Sequence, residues 1–216
     1  SMKTNSRVIE NANPEILEIL LQGSASGEMT TTPDSLSDLL AVTVTEDPDD
    51  EPIELDYTWL RDGFVIPDLD GLDRVDQIRL EPGQEWEVFI TATDPWGLSA
   101  NLSASTIISN IAPVPSWTVT PSPPLAGSLA TFDAASSSDP DGAISVYNWV
   151  IDGVEVSGST VDVILGPGPH SIQLTVLDNL QSSGTSVSTI VYEDVQTTTS
   201  LVANLDEDLV SLSWKG

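Results

Sequence analysis

A pattern of loop, core and turn residues occurs twice in this chain and constrains the fold more than any other feature of the sequence. The two copies are Asp47-Pro48-Asp49, Tyr57-x-Trp59 and Asp62-Gly63, followed by Asp139-Pro140-Asp141, Tyr147-x-Trp149 and Asp152-Gly153. The two tryptophans lie 90 residues apart, and so do the two Asp-Gly pairs. Because a repeat of this length is a whole domain, the pattern predicts two related modules in tandem. No catalytic group recurs with it, which favours a binding or spacer array over an enzyme.

Short apolar runs alternate with turn signals along both modules, which predicts an all-β fold of tandem immunoglobulin-like antiparallel β-sandwiches. Ile172, Leu174 and Val176 alternate with polar residues, so one face of that strand is predicted to be buried. Each Asp-Gly pair predicts a hairpin turn in which both residues have positive φ. We expect seven or eight strands per module. Those of the second are placed near 116–120, 128–133, 143–151, 154–156, 160–165, 169–177 and 185–192. Three strands of the first are placed near 53–60, 85–93 and 100–108.

Matching linkers, Asn11–Pro14 and Asn110–Pro113, set the expected domain boundaries. We assign 1–8 to a disordered or tag-derived lead, 9–111 and 112–193 to the two sandwiches, and 194–216 to a hairpin from a further β domain. Residues 15–21 fit a strand or a capped short helix, and the strand is favoured because the equivalent stretch of the second module looks extended. Residues 22–37 are polar and are expected to form an insertion or a long loop.

The charge of the chain is strongly acidic, with 34 Asp and Glu against 6 Lys and Arg and a net charge of −28. Residues 112–193 contain no Lys or Arg at all. Nucleic acid and anionic membranes should repel such a surface, whereas cations are attracted to it and salty media keep it soluble. There is no cysteine, which excludes disulfides. No apolar run is long enough to span a membrane, so we expect no direct membrane insertion.

With these residues in view, residues 112–193 resemble a PKD (polycystic kidney disease repeat) domain, an immunoglobulin-like β-sandwich. The matching segments are Phe132–Gly142, Tyr147-x-Trp149 and His170–Asn179, whereas Trp149–Gly153 departs from the family's usual Trp-x-Phe-Gly-Asp-Gly run. The first module looks like a more distant relative, and Leu209–Trp214 is similar to the start of a fibronectin type III domain. PKD-like modules are typical of secreted and cell-surface proteins, so the resemblance implies an extracellular or cell-surface location.

Acidic loops in both modules are candidates for calcium binding. In an immunoglobulin-like sandwich the N-terminal segment and two of the loops lie at one end. That end would gather Asn110, Asp139, Asp141 and Asp178 in the second module, at its junction with the first. It would gather Asn11, Asp47, Asp49 and Asp94 in the first, with Asp50 as an extra candidate. Calcium takes six to eight such oxygens, and calcium at the junction would restrict bending between modules. The alternative is that Asp-Pro-Asp only forms a turn.

Three aromatic or imidazole side chains complete the candidate residues. Trp96 sits at the tip of a loop, where it could stack on a sugar or partner protein, or cover the end of the sandwich. His170 is the single histidine and is interpreted as a packing residue at the position of Trp86 in the first module. With one histidine and no cysteine, no nucleophile–base pair can be assembled from recurring positions, so an enzyme is not predicted.

The function predicted from the sequence is structural. We expect a calcium-rigidified spacer or stalk from a longer extracellular protein, which presents another domain of the same protein outward. One alternative is an adhesin module that binds a glycan or a protein partner through a loop aromatic such as Trp96. A second alternative is an accessory domain of a secreted hydrolase.

Overall fold

The computed structural model describes residues 10–192 and the backbone of residues 202–206 and 209–213 in the tail. The predicted lead at 1–8 lies outside the described residues, as do the remaining parts of the predicted tail hairpin. The chain divides into two compact units. The first contains Ser1–Ala112 together with Pro140–Gly142, and the second contains Pro113–Asp139 and Ala143–Gly216.

The first unit is an eight-stranded antiparallel β-sandwich. Its strands are β1 (Glu15–Ala25), β2 (Glu28–Thr30), β3 (Asp38–Glu46), β4 (Glu54–Arg61), β5 (Phe64–Val65), β6 (Arg74–Val75), β7 (Glu85–Thr93) and β8 (Ser99–Ile107). One sheet has the order β2-β1-β3-β6 and the other β5-β4-β7-β8. Two 3₁₀ helices, Pro67–Leu69 and Gln77–Arg79, follow β5 and β6.

The N-terminal part of the first unit differs in one respect from the sequence prediction. Residues 15–21 are a strand, as favoured, but residues 22–37, expected to form an insertion or a long loop, include the end of β1 and the short strand β2. β1 continues to Ala25 and turns at Ser26 and Gly27, with φ of 52° and 86°, into β2. β2 is a short edge strand with exposed side chains, and a strand in that position can be polar without losing buried contacts.

The second unit is a seven-stranded antiparallel sandwich, and each predicted run is a strand. The strands are β9 (Thr118–Thr120), β10 (Leu129–Asp133), β11 (Ile144–Ile151), β12 (Val154–Ser157), β13 (Thr160–Ile164), β14 (Gly168–Asp178) and β15 (Ser183–Tyr192). The sheets have the orders β13-β10-β9 and β12-β11-β14-β15. In the tail, β16 (Val202–Asp206) pairs with β17 (Leu209–Ser213) in antiparallel fashion.

A tryptophan on equivalent strands forms the centre of each core. Trp59 and Trp149 are both 0% exposed, as predicted. The indole N–H of Trp59 donates to Leu72 O at 2.8 Å, and that of Trp149 donates to Gly158 O at 2.9 Å. These bonds satisfy the one polar atom of each ring, so the rest of the side chain is buried without an unpaired donor.

The two Asp-Gly turns adopt the predicted hairpin geometry. Asp62 and Gly63 have φ of 50° and 80°, and Asp152 and Gly153 have φ of 48° and 81°. Each aspartate also accepts a backbone N–H from the adjoining strand, Glu85 N at 3.0 Å or Ser171 N at 2.9 Å. The repeat is therefore preserved in backbone conformation as well as in sequence.

Strand register corrects one equivalence drawn from the sequence. Trp59 pairs with Val88 and Trp149 pairs with Leu174, so Trp86 corresponds to Ile172, two residues earlier. His170 therefore stands where the first unit has Gln84 and not where it has Trp86. The equivalence of β7 and β14 is defined by the residues with which each strand pairs in β4 and β11, and the position of bulky side chains in the sequence does not show that pairing.

Candidate metal centre

The acidic loop between β3 and β4 folds back on itself in the first unit. Asp47 Oδ1 accepts the backbone N–H of Asp49 at 2.8 Å, and Asp47 O accepts that of Asp50 at 3.0 Å. Asp50 has a φ of 59°, which reverses the chain. This turn brings Glu51 back beside Asp47, and both side chains are half-buried.

Asp47, Glu51 and Asp94 each place one carboxylate oxygen so that the three oxygens lie within 4.8 Å of one another. We call these three residues the acidic triad. Within the described part of the chain it is the one group of three or more potential metal ligands so arranged. Asp47 Oδ2 and Glu51 Oε2 are shielded from solvent and have no hydrogen-bond partner among the described residues. Buried carboxylate oxygens of this kind are costly unless a cation or a proton compensates them.

Asp94 is the most buried member of the triad, with 5% of its surface exposed. Its Oδ1 accepts the backbone N–H groups of Trp96 and Leu98 at 2.8 and 2.9 Å, and its Oδ2 accepts Asn11 Nδ2 at 2.6 Å. Burial raises the pKa of Asp94, but these hydrogen bonds outweigh burial and the net pKa is lowered. Asp94 is therefore held as a carboxylate, the form that binds a cation.

The other first-module candidates lie around the triad in different roles. Asn11 binds Asp94 directly, whereas Asp49 Oδ2 accepts the backbone N–H of Ala12 at 2.6 Å and so fastens the segment that precedes β1. Asp50 forms the turn and is not part of the triad. Sequence reasoning missed Glu51, although its position four residues after Asp47 in a tight acidic loop was a usable signal.

The second unit reproduces part of this arrangement. Asp178 is 0% exposed, and its Oδ1 accepts the backbone N–H groups of Leu180 and Ser182, both at 2.8 Å, in the same pattern as Asp94. Asp141, which belongs to the first compact unit, accepts the N–H of Ile111 at 3.1 Å, as Asp49 accepts that of Ala12. Asp139 and Asn110 are half-buried. A metal bound by Asn110, Asp139, Asp141 and Asp178 stays a prediction.

Trp96 projects from the loop that carries Asp94 and adjoins the triad. Its side chain is 74% exposed, and its indole Nε1 donates to Glu51 Oε1 at 2.8 Å. It borders a shallow depression together with Asn11, Asp49 and Glu51. The indole does not cover the end of the sandwich, since most of its surface faces solvent.

The donor set fits a hard divalent cation. All three triad ligands are carboxylate oxygens, without the thiolate or imidazole groups that zinc and copper prefer. The Asn11 side chain carries a carbonyl oxygen beside Asp94, and backbone carbonyls and water can supply further ligands. Calcium takes six to eight oxygen ligands in flexible geometry, whereas magnesium demands near-ideal octahedral geometry.

His170 lies next to the Asp152-Gly153 turn of the second unit. Its Nδ1 is 2.6 Å from Asp152 Oδ2, its Nε2 is 2.8 Å from Gly166 O, and its ring packs edge-on against Tyr192 at 5.1 Å. Because both ring nitrogens face acceptors, the doubly protonated ring satisfies both. The hydrogen bond that His170 donates to Asp152 is the largest cause that raises the pKa of His170. His170 is therefore a packing residue, as interpreted, and when protonated it also forms an ion pair with Asp152.

No protein-family model and no curated protein matches this chain. Similar solved structures include a carbohydrate-binding module protein of the β-sandwich superfamily, 28% identical with a TM-score of 0.39. That match covers 43% of this chain and 39% of the other, less than half of that protein. The PKD1 domain of the Vibrio cholerae metalloprotease PrtV is 28% identical with a TM-score of 0.34, over 38% of this chain and 99% of that one.

Fibronectin(III)-like modules of Clostridium thermocellum CbhA are also similar, with 14% identity and a TM-score of 0.37 over 78% of this chain and 90% of theirs. The similar structures thus include both kinds of module that the sequence resembles. In the described part of the chain, no helix is long and apolar enough to cross a membrane.

Proposed function

We propose that this chain is a non-catalytic extracellular spacer that is stiffened by calcium at the acidic triad of its first sandwich. The observation that carries the proposal is the pair of buried, unpartnered oxygens, Asp47 Oδ2 and Glu51 Oε2, beside the ionised Asp94. Without a cation these negative charges repel one another. A cation removes the repulsion and adds a direct link between the loop of Asp47 and Glu51 and the loop of Asp94.

The acidic triad is hydrogen-bonded to the segment that precedes β1, so a bound cation would also restrict the motion of that segment. Asn11, in the segment before β1, binds Asp94, and Ala12 is held by Asp49 in the same loop as Asp47. A cation that fixes both loops therefore also fixes the point where the chain enters the sandwich. A spacer needs such fixed entry points to present another domain at a defined distance, and this is the role that we assign to the chain.

Calorimetry of the full chain, first in chelator and then in calcium, tests the proposal. At about 100 times its dissociation constant, calcium stabilises the folded state by about 2.7 kcal/mol. That gain raises the melting temperature of a unit of this size by roughly 10 °C or more. Calcium near 10 mM is about 10–100 times the dissociation constant typical of extracellular modules. Magnesium at the same concentration should produce a much smaller shift.

Two variants and one control locate the effect. Asp47→Asn and Glu51→Gln should each abolish most of the calcium-dependent shift, because each removes a charge from the triad while keeping the shape of the side chain. Glu28→Gln, an exposed carboxylate on β2, should leave the shift unchanged. A wild-type protein that melts at the same temperature in chelator and calcium would show that these carboxylates only form turns.

A further inference from the structure

Trp96 is not needed to form the loop in which it lies. In the first unit Asp94 Oδ1 accepts the N–H groups of the residues two and four positions later, Trp96 and Leu98. In the second unit Asp178 Oδ1 accepts those of Leu180 and Ser182 at nearly the same distances. Leu180 thus stands where the first unit has Trp96, and the same loop forms without an indole.

Trp96 is nevertheless held at two points, one on its ring and one on its backbone. The indole nitrogen donates to Glu51 Oε1, which orients the ring, and the backbone nitrogen of the residue donates to Asp94 Oδ1, both at 2.8 Å. Both acceptors belong to the acidic triad. An exposed aromatic ring that is already oriented loses little conformational entropy when a ligand binds to it.

The surroundings of the ring select a neutral, hydroxyl-rich ligand. Asn11, Asp49 and Glu51 line the depression beside the indole and offer hydrogen-bond acceptors at its rim. A pyranose ring has an apolar C–H face that can pack on the indole and hydroxyls that can donate to these oxygens. The net charge of −28 disfavours anionic polymers.

Glu51 connects the ring to the triad. One of its oxygens accepts the indole N–H, and the other is the buried oxygen without a hydrogen-bond partner. We propose that Trp96 is the stacking platform of a neutral-glycan site, and that a cation in the acidic triad switches this site on by fixing Glu51. The cation control rests on the proposed calcium site. Without the cation, repulsion from Asp47 and Asp94 releases Glu51, and the indole loses its anchor.

Isothermal titration of the full chain with cellohexaose, chitohexaose, laminarihexaose and mannohexaose, in calcium and in chelator, tests this proposal. We expect at least one oligosaccharide to bind in calcium, with affinity at least tenfold lower in chelator. Trp96→Ala should abolish this binding, and Leu180→Ala is the matched control that should not change it. Trp96→Phe keeps an aromatic face but loses the bond to Glu51, so it should retain weak binding that no longer depends on calcium.

The outcomes separate this inference from the function proposed above. If calcium raises the melting temperature of the wild type but none of the four oligosaccharides binds, the glycan site is wrong and the calcium-stiffened spacer stands. If binding depends on Trp96 but is equal in calcium and chelator, the cation control is wrong. If calcium has no effect on melting, the proposed function itself is wrong. Trp96→Ala should keep the calcium-dependent rise in melting temperature, which shows that lost binding is not lost folding.

Discussion

The two sandwiches share the residues that build the fold and differ in the residues that surround their loops. Both have a buried tryptophan on the same strand, an Asp-Gly hairpin and an aspartate that caps the loop after the long strand. Counting from Asp-Pro-Asp, however, the position of Glu51 is Ala143 in the second unit. The equivalents of Trp96 and Gln84 are Leu180 and His170. The residues that both units share are therefore those that the fold requires. The residues that differ are those that can give each unit its own binding properties.

The largest expected effect on stability comes from the buried tryptophans that both units share. Trp149→Ala should destabilise the second unit by about 3–5 kcal/mol, since a large buried ring is removed. Trp149 contacts the rings of Trp117 and Phe132 at 5.9 and 5.8 Å, whereas Trp59 makes one such contact, with Trp86 at 6.3 Å. We therefore expect Trp59→Ala to cost the first unit somewhat less. Calorimetry of the full chain measures both, and a loss below about 1 kcal/mol at either site would contradict the equivalence of the two cores.

A smaller effect tests how closely the chain packs where it enters the second sandwich. A Cβ at Gly184 would lie 1.9 Å from Pro113 O, a backbone atom that cannot rotate away. At Gly23 in the first unit the nearest atoms are Ser37 Oγ at 2.6 Å and Thr30 Cγ2 at 2.8 Å, both in side chains, and the nearest backbone atom is Pro33 Cα at 3.1 Å. Gly184→Ala should therefore cost at least the ~1–3 kcal/mol typical of overpacking, and Gly23→Ala less.

The control for this prediction is Gly166→Ala, because no atom lies within 4 Å of a Cβ placed there. Urea denaturation should leave the stability of that variant close to that of the wild type. Equal losses for Gly184→Ala and Gly166→Ala would mean that the contact with Pro113 does not restrict the chain.

A weaker, pH-dependent effect near neutral pH should appear in the second unit, which carries the single histidine. The partners of His170 raise its pKa above the value of 6.5 expected in the unfolded chain. The stabilisation from protonated His170 is therefore complete below about pH 6.5 and is lost as the pH rises through the folded pKa. At acidic pH, the ion pair of His170 and Asp152 is lost as the pH falls through the lowered pKa of Asp152.

Urea denaturation at pH 6 and pH 9 measures this dependence. His170→Gln introduces glutamine, the residue found as Gln84 at the equivalent position of the first unit. This variant should lose the pH dependence of stability that we assign to His170 and Asp152. The first unit has no histidine and serves as the internal reference. A variant that keeps the full pH dependence of the wild type would assign the effect to another group.

The smallest expected effect on stability is that of Trp96→Ala. Because the indole is 74% exposed and the equivalent loop forms with Leu180, the change should shift stability by no more than about 0.5 kcal/mol in chelator. Leu180→Ala should have a similarly small effect on the second unit. A substantial loss in Trp96→Ala alone would mean that the indole supports the first fold.

Much of the fold could be predicted from the sequence because the signals are local. Alternating apolar residues, as at Ile172, Leu174 and Val176, and the Asp-Gly turns depend on the backbone within a few residues. The pairing of strands that are distant in sequence could not be predicted from such local signals. The polar strand β2 looked like a loop, and His170 was matched to the wrong residue because only strand register shows its true counterpart.

The candidate site shows the same limit. The local signal of Asp-Pro-Asp identified Asp47, and the topology of an immunoglobulin-like sandwich brought in Asp94 and Asn11. The spacing of Glu51 from Asp47 was a usable local signal, but Asp94 joins them through tertiary structure, and the reversal at Asp50, with a φ of 59°, is seen only in the folded chain. Nor could spacing show that Asp49 would bind the backbone of Ala12.

The first strands of the two units differ greatly in length, and this has a consequence for a chain under mechanical load. β1 pairs with β3 along nearly its whole length, from Glu15 opposite Glu46 to Ser24 opposite Asp38. β9 pairs with β10 through Thr118, Val119 and Thr120 alone. When the ends of a tethered chain are pulled apart, tension is shared among the hydrogen bonds of each terminal strand, and the unit with fewer of them yields first. The second sandwich would then act as the extensible element, lengthening under drag while the first stays folded.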